Sequence, residues 1–148
     1  MEHKDYTISI TIATNPTIIY SALTTGVAKW WGGKDLSGNT KSLNDEFIIH
    51  HPGAHYSKKR VIDLIPGKKV VWLVAESKLS WLKNNKEEWT NTKMVFEFME
   101  EGDCSVLRFT HEGLVAEMEC FEMCTKSGWE IVINDWLFHF VTEGKPHF

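Results

Sequence analysis

Phe109-Thr110-His111-Glu112-Gly113-Leu114 is where the chain changes its hydrophobic period. Before this stretch, apolar residues recur at every second position over several short segments. After it, from about Glu117 to Gly144, they recur at helical spacing without interruption. A chain that lays down strands first and one long helix last covers the apolar face of a sheet with that helix. The stretch therefore predicts an α+β fold and a space between sheet and helix.

Working toward the N-terminus, the same alternation predicts strands over 104–111, 89–100, 69–76, 55–65, 46–51 and 6–13. Pro52-Gly53, Pro66-Gly67 and Glu101-Gly102-Asp103 mark tight turns between them. Links this short imply an antiparallel sheet, of about six or seven strands. Asn15-Pro16 reads as an N-cap and first helical position. Ile19, Ala22 and Leu23 give that short helix a buried side, and Val27 to Trp31 reads as a second helical turn stopped by Gly32-Gly33. Residues 34–45 read as a loop. Residues 77–88 break the strand pattern and read as a mobile excursion lying across something apolar.

At 100° per residue the final helix places Met118, Phe121, Thr125, Trp129, Val132, Trp136 and Phe140 on one stripe. Cys120, Ile131 and Phe138 form a thinner apolar line behind it. Gly128 sits near the main stripe, where glycine costs about 1 kcal/mol against alanine. That implies a close backbone, a ligand or a bend.

The chain's 148 residues suit a single domain, 1–148, with a proper core. Sixteen Lys+Arg against 20 Asp+Glu give a net charge of −4 without a basic stripe, which argues against nucleic acid. No apolar run approaches the roughly 20 residues of a membrane helix. Met1 to Tyr6 is polar and lacks the pattern of a signal peptide. Cys104, Cys120 and Cys124 do not form a disulfide framework, and a reducing, cytoplasmic setting is expected.

Several pieces together resemble a known family. They are Asn15-Pro16, Trp30-Trp31-Gly32, Pro66-Gly67-Lys68-Lys69-Val70-Val71-Trp72, Phe109 to Leu114, and Gly128-Trp129. In order and spacing the chain resembles the START/SRPBCC superfamily, the helix-grip fold, in the branch named for activators of the heat-shock protein 90 ATPase. The resemblance implies a cavity between a curved sheet and the C-terminal helix. Relatives bind hydrophobic ligands, sequester small molecules or act on polyketides. The co-chaperone role belongs to larger proteins with an additional N-terminal domain.

Strand parity turns Leu107, Phe109 and His111 inward and leaves Arg108, Thr110 and Glu112 outside. The candidate ligand-binding set is Trp30, Trp31, His51, Trp72, Trp81, Phe96, Phe109, His111, Phe121, Trp129 and Trp136. The leading expectation is a binding protein for a hydrophobic or aromatic small molecule, acting without a cofactor. A hydrolase or cyclase using His111 as acid or base is the alternative, with His51, Tyr56 or Glu122 as partner. A co-chaperone-like activator of a heat-shock protein ATPase is the third reading, and the chain is expected to be a monomer or homodimer. His50, His51 and His55 flank the Pro52-Gly53 turn, but no carboxylate or cysteine motif accompanies them, so no metal is expected. Cys120 and Cys124 read as small buried hydrophobes. Glu117, Glu119 and Glu122 complement the start of the helix dipole, with Glu122 nearest the buried stripe.

Overall fold

A computed structural model describes residues 4–145. Met1 to His3, the start of the polar lead-in, lie outside them. The alternating segments form β1 (Tyr6–Ile12), β2 (Leu36–Gly38), β3 (Glu46–His51), β4 (His55–Ile65), β5 (Lys69–Leu79), β6 (Lys93–Glu101) and β7 (Cys104–Glu112). They build one seven-stranded antiparallel sheet in the order β1-β7-β6-β5-β4-β3-β2. All links are hairpin-like except that from β1 to β2, which carries the short helices. β1 reaches across to pair with the last strand, Tyr6 opposite His111 and Ile12 opposite Ser105.

Parity holds as expected on the inner face. Val70, Trp72 and Val74 of β5, Met94 and Phe96 of β6, and Leu107, Phe109 and His111 of β7 are all fully buried. Between β4 and β5 the register slips at Lys58/Lys59 and again at Val61/Asp63. Such bulges bend a strand and increase its twist, which curves the sheet around what it covers.

α1 (Pro16–Ala22) starts at Asn15, whose side chain accepts from the Ile18 amide at 3.0 Å. The second helical turn is a 3₁₀ turn, Val27–Lys29. The stretch expected to be wholly loop contains a further 3₁₀ turn, Gly33–Asp35, and the edge strand β2. β2 is too short and polar to show a period in the sequence. The strand expected from Trp89 begins only at Lys93, because residues 89–92 turn, with Asn91 left-handed at φ 71°. β5 runs on to Leu79, three residues past the expected end.

The C-terminal helix spans residues 121–143 and ends where Gly144 takes φ 74°. It starts later than expected and contains two π-helical segments, Thr125–Trp129 and Val132–Leu137. A π turn holds more residues than an α turn, so the buried face advances differently from 100° steps. Thr125, Trp129 and Val132 of the expected stripe are buried, together with Cys120, Cys124, Ile133, Leu137 and Val141, while Met118, Phe121, Trp136 and Phe140 are only partly covered. Cys120, expected on the back line, is fully buried, and Ile131 from that line is 41% exposed.

The excursion between β5 and β6 is tied down rather than loose. The Glu119 carboxylate accepts from the amides of Lys83 (3.0 Å) and Asn84 (3.0 Å). In return the Glu88 carboxylate accepts from the amides of Glu119 and Cys120, both at 3.1 Å. Leu82 and Trp89 are buried beneath this strap and Trp81 stands 41% exposed, so the expected apolar contact is present.

Candidate functional site

Five of the seven tryptophans form a continuous stack inside the molecule. Trp30, Trp31 and Trp72 lie within 20° of parallel at 6.0–6.3 Å, Trp31 meets Trp129 at 5.1 Å, and Trp129 stacks on Trp89 at 5.9 Å. Phe96 and Phe109 close against this stack at 4.8 and 4.4 Å. Rings held this closely fill the space between sheet and helix, as a close-packed interior requires. Of the residues expected to line a ligand site, Trp30, Trp72, Phe96 and Phe109 are thus core. Phe121 packs edge-on against Tyr6 at the start of the helix.

Space remains at one end. A recess of about 240 Å³ opens between the strap and the helix. Trp31, Trp81, Trp89, Trp129 and Trp136 line it, with His55, Leu79, Met123, Cys124 and Gly128. A second recess of about 230 Å³ shares Trp31, His55 and Trp136 with the first. Gly128 lies inside a π segment, and a Cβ there would meet only the Met123 carbonyl oxygen, at 3.3 Å. The glycine thus has open space and an altered helix beside it, and among the described residues no strand backbone approaches it.

His111 points inward and is fully buried. The Trp129 indole N–H donates to its Nδ1 at 3.0 Å, and its Nε2 is 2.8 Å from Thr92 Oγ1, which donates to the Trp89 carbonyl. Nδ1 accepts, so Nε2 carries the proton, and burial holds the ring neutral with its pKa lowered to about 3. Both nitrogens are used. None of the three partners considered for acid–base work reaches it. His51 is exposed and meets Asp35 at 3.1 Å, Tyr56 donates to Glu76, and Glu122 pairs with Lys126 at 3.1 Å.

His50, His51 and His55 do not converge. His50 packs on Tyr56, and His55 turns in between Trp31 and Trp89. Among the described residues no three metal-ligating side chains gather. Cys120 and Cys124 are buried, and the neighbouring Cys120 thiol together with burial pushes the Cys124 thiol up.

Sequence reasoning missed Lys59. Within Lys58-Lys59-Arg60, the outer two reach Glu46 at 3.5 and 3.2 Å, while Lys59 is fully buried. Its Nζ lies 2.6 Å from Ser57 Oγ and 3.3 Å from the Ser57 carbonyl, over the rings of Trp31 (4.5 Å) and Phe47 (5.0 Å). Among the described residues no carboxylate pairs with it, and burial lowers its pKa well below the usual lysine value. Ser57 Oγ is also 2.7 Å from His55 Nε2, and burial lowers the His55 pKa to about 3. His55, Ser57 and Lys59 are alternate residues of β4 and share its inner face with Val61. That parity is present in the sequence from Val61 alone. Trp89 Nε1 is buried without an oxygen or nitrogen partner among the described residues.

Among the described residues, no helix is long and apolar enough to cross a membrane. A solution structure of the Aha1 dimer from Colwellia psychrerythraea is similar, with 26% identity over 96% of this chain and 98% of that one, and a TM-score of 0.75. DynU16, from the dynemicin biosynthetic locus, matches with 12% identity and a TM-score of 0.69 over 96% of this chain, which spans 48% of that protein. CalU16 from Micromonospora echinospora matches with 17% identity and a TM-score of 0.63, over 99% of this chain and 78% of that one. The last two likenesses concern the helix-grip fold alone. No curated protein matches. The family model for Activator of Hsp90 ATPase homolog 1-like proteins matches residues 13–139, nearly the whole chain, and with the shared sheet-and-helix architecture this shows that the chain belongs to that family.

Proposed function

We propose that this protein binds a small apolar or aromatic molecule in the recess between the strap and the C-terminal helix. The observation that carries this reading is the wall of five tryptophans around an open volume, next to a core that is otherwise filled. Flat apolar walls with a few polar groups are what ligand sites offer. His55 supplies a polar group here. The reading moves the expected ligand contacts from the middle of the molecule to its end. Trp31, Trp81, Trp129 and Trp136 remain from the expected set, and Trp89 and His55 join it. His111 takes a structural part, holding β7 to the helix.

The test is native mass spectrometry and tryptophan fluorescence against a panel of planar aromatic and apolar compounds. Binding that quenches fluorescence and is lost in Trp81→Ala supports the reading. A panel that neither binds nor raises the melting temperature ends it.

The family description supports a second reading, docking to a heat-shock protein of the Hsp90 type. Trp81 and Met123, 41% and 54% exposed at the mouth of the recess, are the surface residues suited to it. Stimulation of that partner's ATPase by the isolated protein, lost in Trp81→Ala, tests this. The dimer of the Colwellia protein makes self-association a further property to measure, by sedimentation.

A further inference from the structure

We propose that His55, Ser57 and Lys59 form a proton line from the recess into the core, and that the recess takes a weak organic acid with an apolar body, a phenol or enol, which it binds ionised. The inference rests on the binding reading above and adds the chemistry of the ligand's polar end.

A lone ammonium in an apolar interior costs several kcal/mol, whereas a neutral amine does not. Lys59 lies under Trp31 with no carboxylate among the described residues, and burial lowers its pKa well below the usual lysine value, which favours the free amine over the ammonium. A free amine accepts a hydrogen bond. An ammonium at Lys59 would donate to Ser57 Oγ across their 2.6 Å separation; with the free amine the direction turns over, so that the Ser57 hydroxyl donates to Nζ and His55 Nε2–H donates to Ser57 Oγ across 2.7 Å. This leaves a lone pair on His55 Nδ1, which has no hydrogen-bond partner among the described residues, on a side chain that lines the recess.

The transfer balances without any other reactant. The ligand O–H bond breaks, its electron pair stays on oxygen, and the proton goes to Nδ1. The Nε2 proton passes to Ser57 Oγ, and the Ser57 proton passes to Nζ. The products are a ligand anion beside the His55 Nδ1–H and an ammonium at Lys59, and no electron changes hands. The anion supplies the counter-charge that Lys59 lacks, and the faces of Trp31 and Phe47 favour the cation. The other titratable groups facing the line are His50 and His51 from β3, Asp35 beside His51, and Cys124 across the recess.

The test uses 4-nitrophenol, whose ionised form absorbs at longer wavelength, and 4-nitroanisole, its methyl ether without a proton to give. Both are titrated at a pH below the pKa of free nitrophenol. The expected result is a bound nitrophenolate band and an affinity about tenfold above that of nitroanisole, the scale of one hydrogen bond to a charged group. Lys59→Met, and separately Ser57→Ala, should lose the band and bring the two affinities together. Equal affinities with only the neutral band in the wild-type protein overturn the proton line and leave the binding reading standing. Failure of both compounds to bind the wild-type protein overturns the proposal at its premise. Persistence of the band in a folded Lys59→Met protein, checked by circular dichroism, also overturns it.

Discussion

The indole N–H of Trp129 and Nδ1 of His111 lie 3.0 Å apart, a buried polar bond that joins the C-terminal helix to β7. The bond exists only while the ring is neutral, because a protonated imidazole has no acceptor. Protonation must break it, and this gives the fold a pH dependence.

In the unfolded chain a histidine titrates near 6.5, while in the folded protein His111 titrates at about 3. Falling pH therefore protonates the unfolded chain first. The stabilisation is present above about pH 6.5 and is lost progressively as pH falls toward 3, at up to about 1.4 kcal/mol per unit. His55, also lowered to about 3, adds a contribution of the same sign. Urea midpoints should fall steadily from neutral pH to about pH 4. His111→Gln should be less stable at neutral pH and show a shallower acid slope. Identical slopes in the two proteins would remove His111 as the cause.

Trp129→Phe keeps the ring packing but leaves His111 Nδ1 as a buried acceptor without a donor. It should cost about 1–3 kcal/mol in urea unfolding, with little change in m-value. A loss no larger than that of an exposed control such as Ile131→Val would mean the bond is dispensable.

Gly113 sits at φ 98°, and a Cβ there would lie 2.8 Å from Thr92 Cγ2. Gly113→Ala should therefore be destabilising by about 1–3 kcal/mol, from strained backbone and displaced Thr92 together. Since Thr92 holds His111 Nε2, the histidine ring resonances should move in NMR spectra. Unchanged spectra and stability would contradict the contact.

Glu88 and Glu119 hold the strap and the helix start to each other by accepting from four backbone amides at 3.0–3.1 Å. Glu88→Gln and Glu119→Ala should each raise hydrogen exchange in residues 80–92 and in residues 119–124 together. The Asn84 and Lys83 amides hold the Glu119 carboxyl below its usual pKa, so the strap should loosen as pH falls through the carboxylate range. Exchange that rises on only one side of the clamp would show that the two are independent.

Gly128→Leu places a side chain in the recess against a single backbone oxygen. Ligand affinity should drop tenfold or more, about 1.4 kcal/mol or above, with a small change in melting temperature. Retained affinity would place the ligand elsewhere.

The strands and the inward side of β7 are legible because a half-buried strand writes its two faces at a period of two. Phe109 and His111 need nothing more than that count. The positions of Trp30 and Trp72 are also legible, but not whether the rings line a cavity or fill it, since that depends on how far the helix stands from the sheet. The buried face of the helix follows the 100° stripe at Thr125, Trp129 and Val132 and then passes to Ile133, Leu137 and Val141, because a π turn leaves no mark in hydrophobic period. Lys59 looks like one more member of a charged surface cluster, although Val61 two residues on fixes its direction. Residue type argues for the surface there, and parity decides the structure.

The two π segments also fix the helix to its length. Each places surplus chain within a turn; Ile133 meets the core beyond the first of them, and Val141 beyond both. Removing one residue from either would turn everything beyond it by about 100° and carry those side chains out of register. The helix is thus cut like a key, matched to its sheet at particular teeth, and the wall it offers to the recess is set by where its turns widen as much as by which residues it carries.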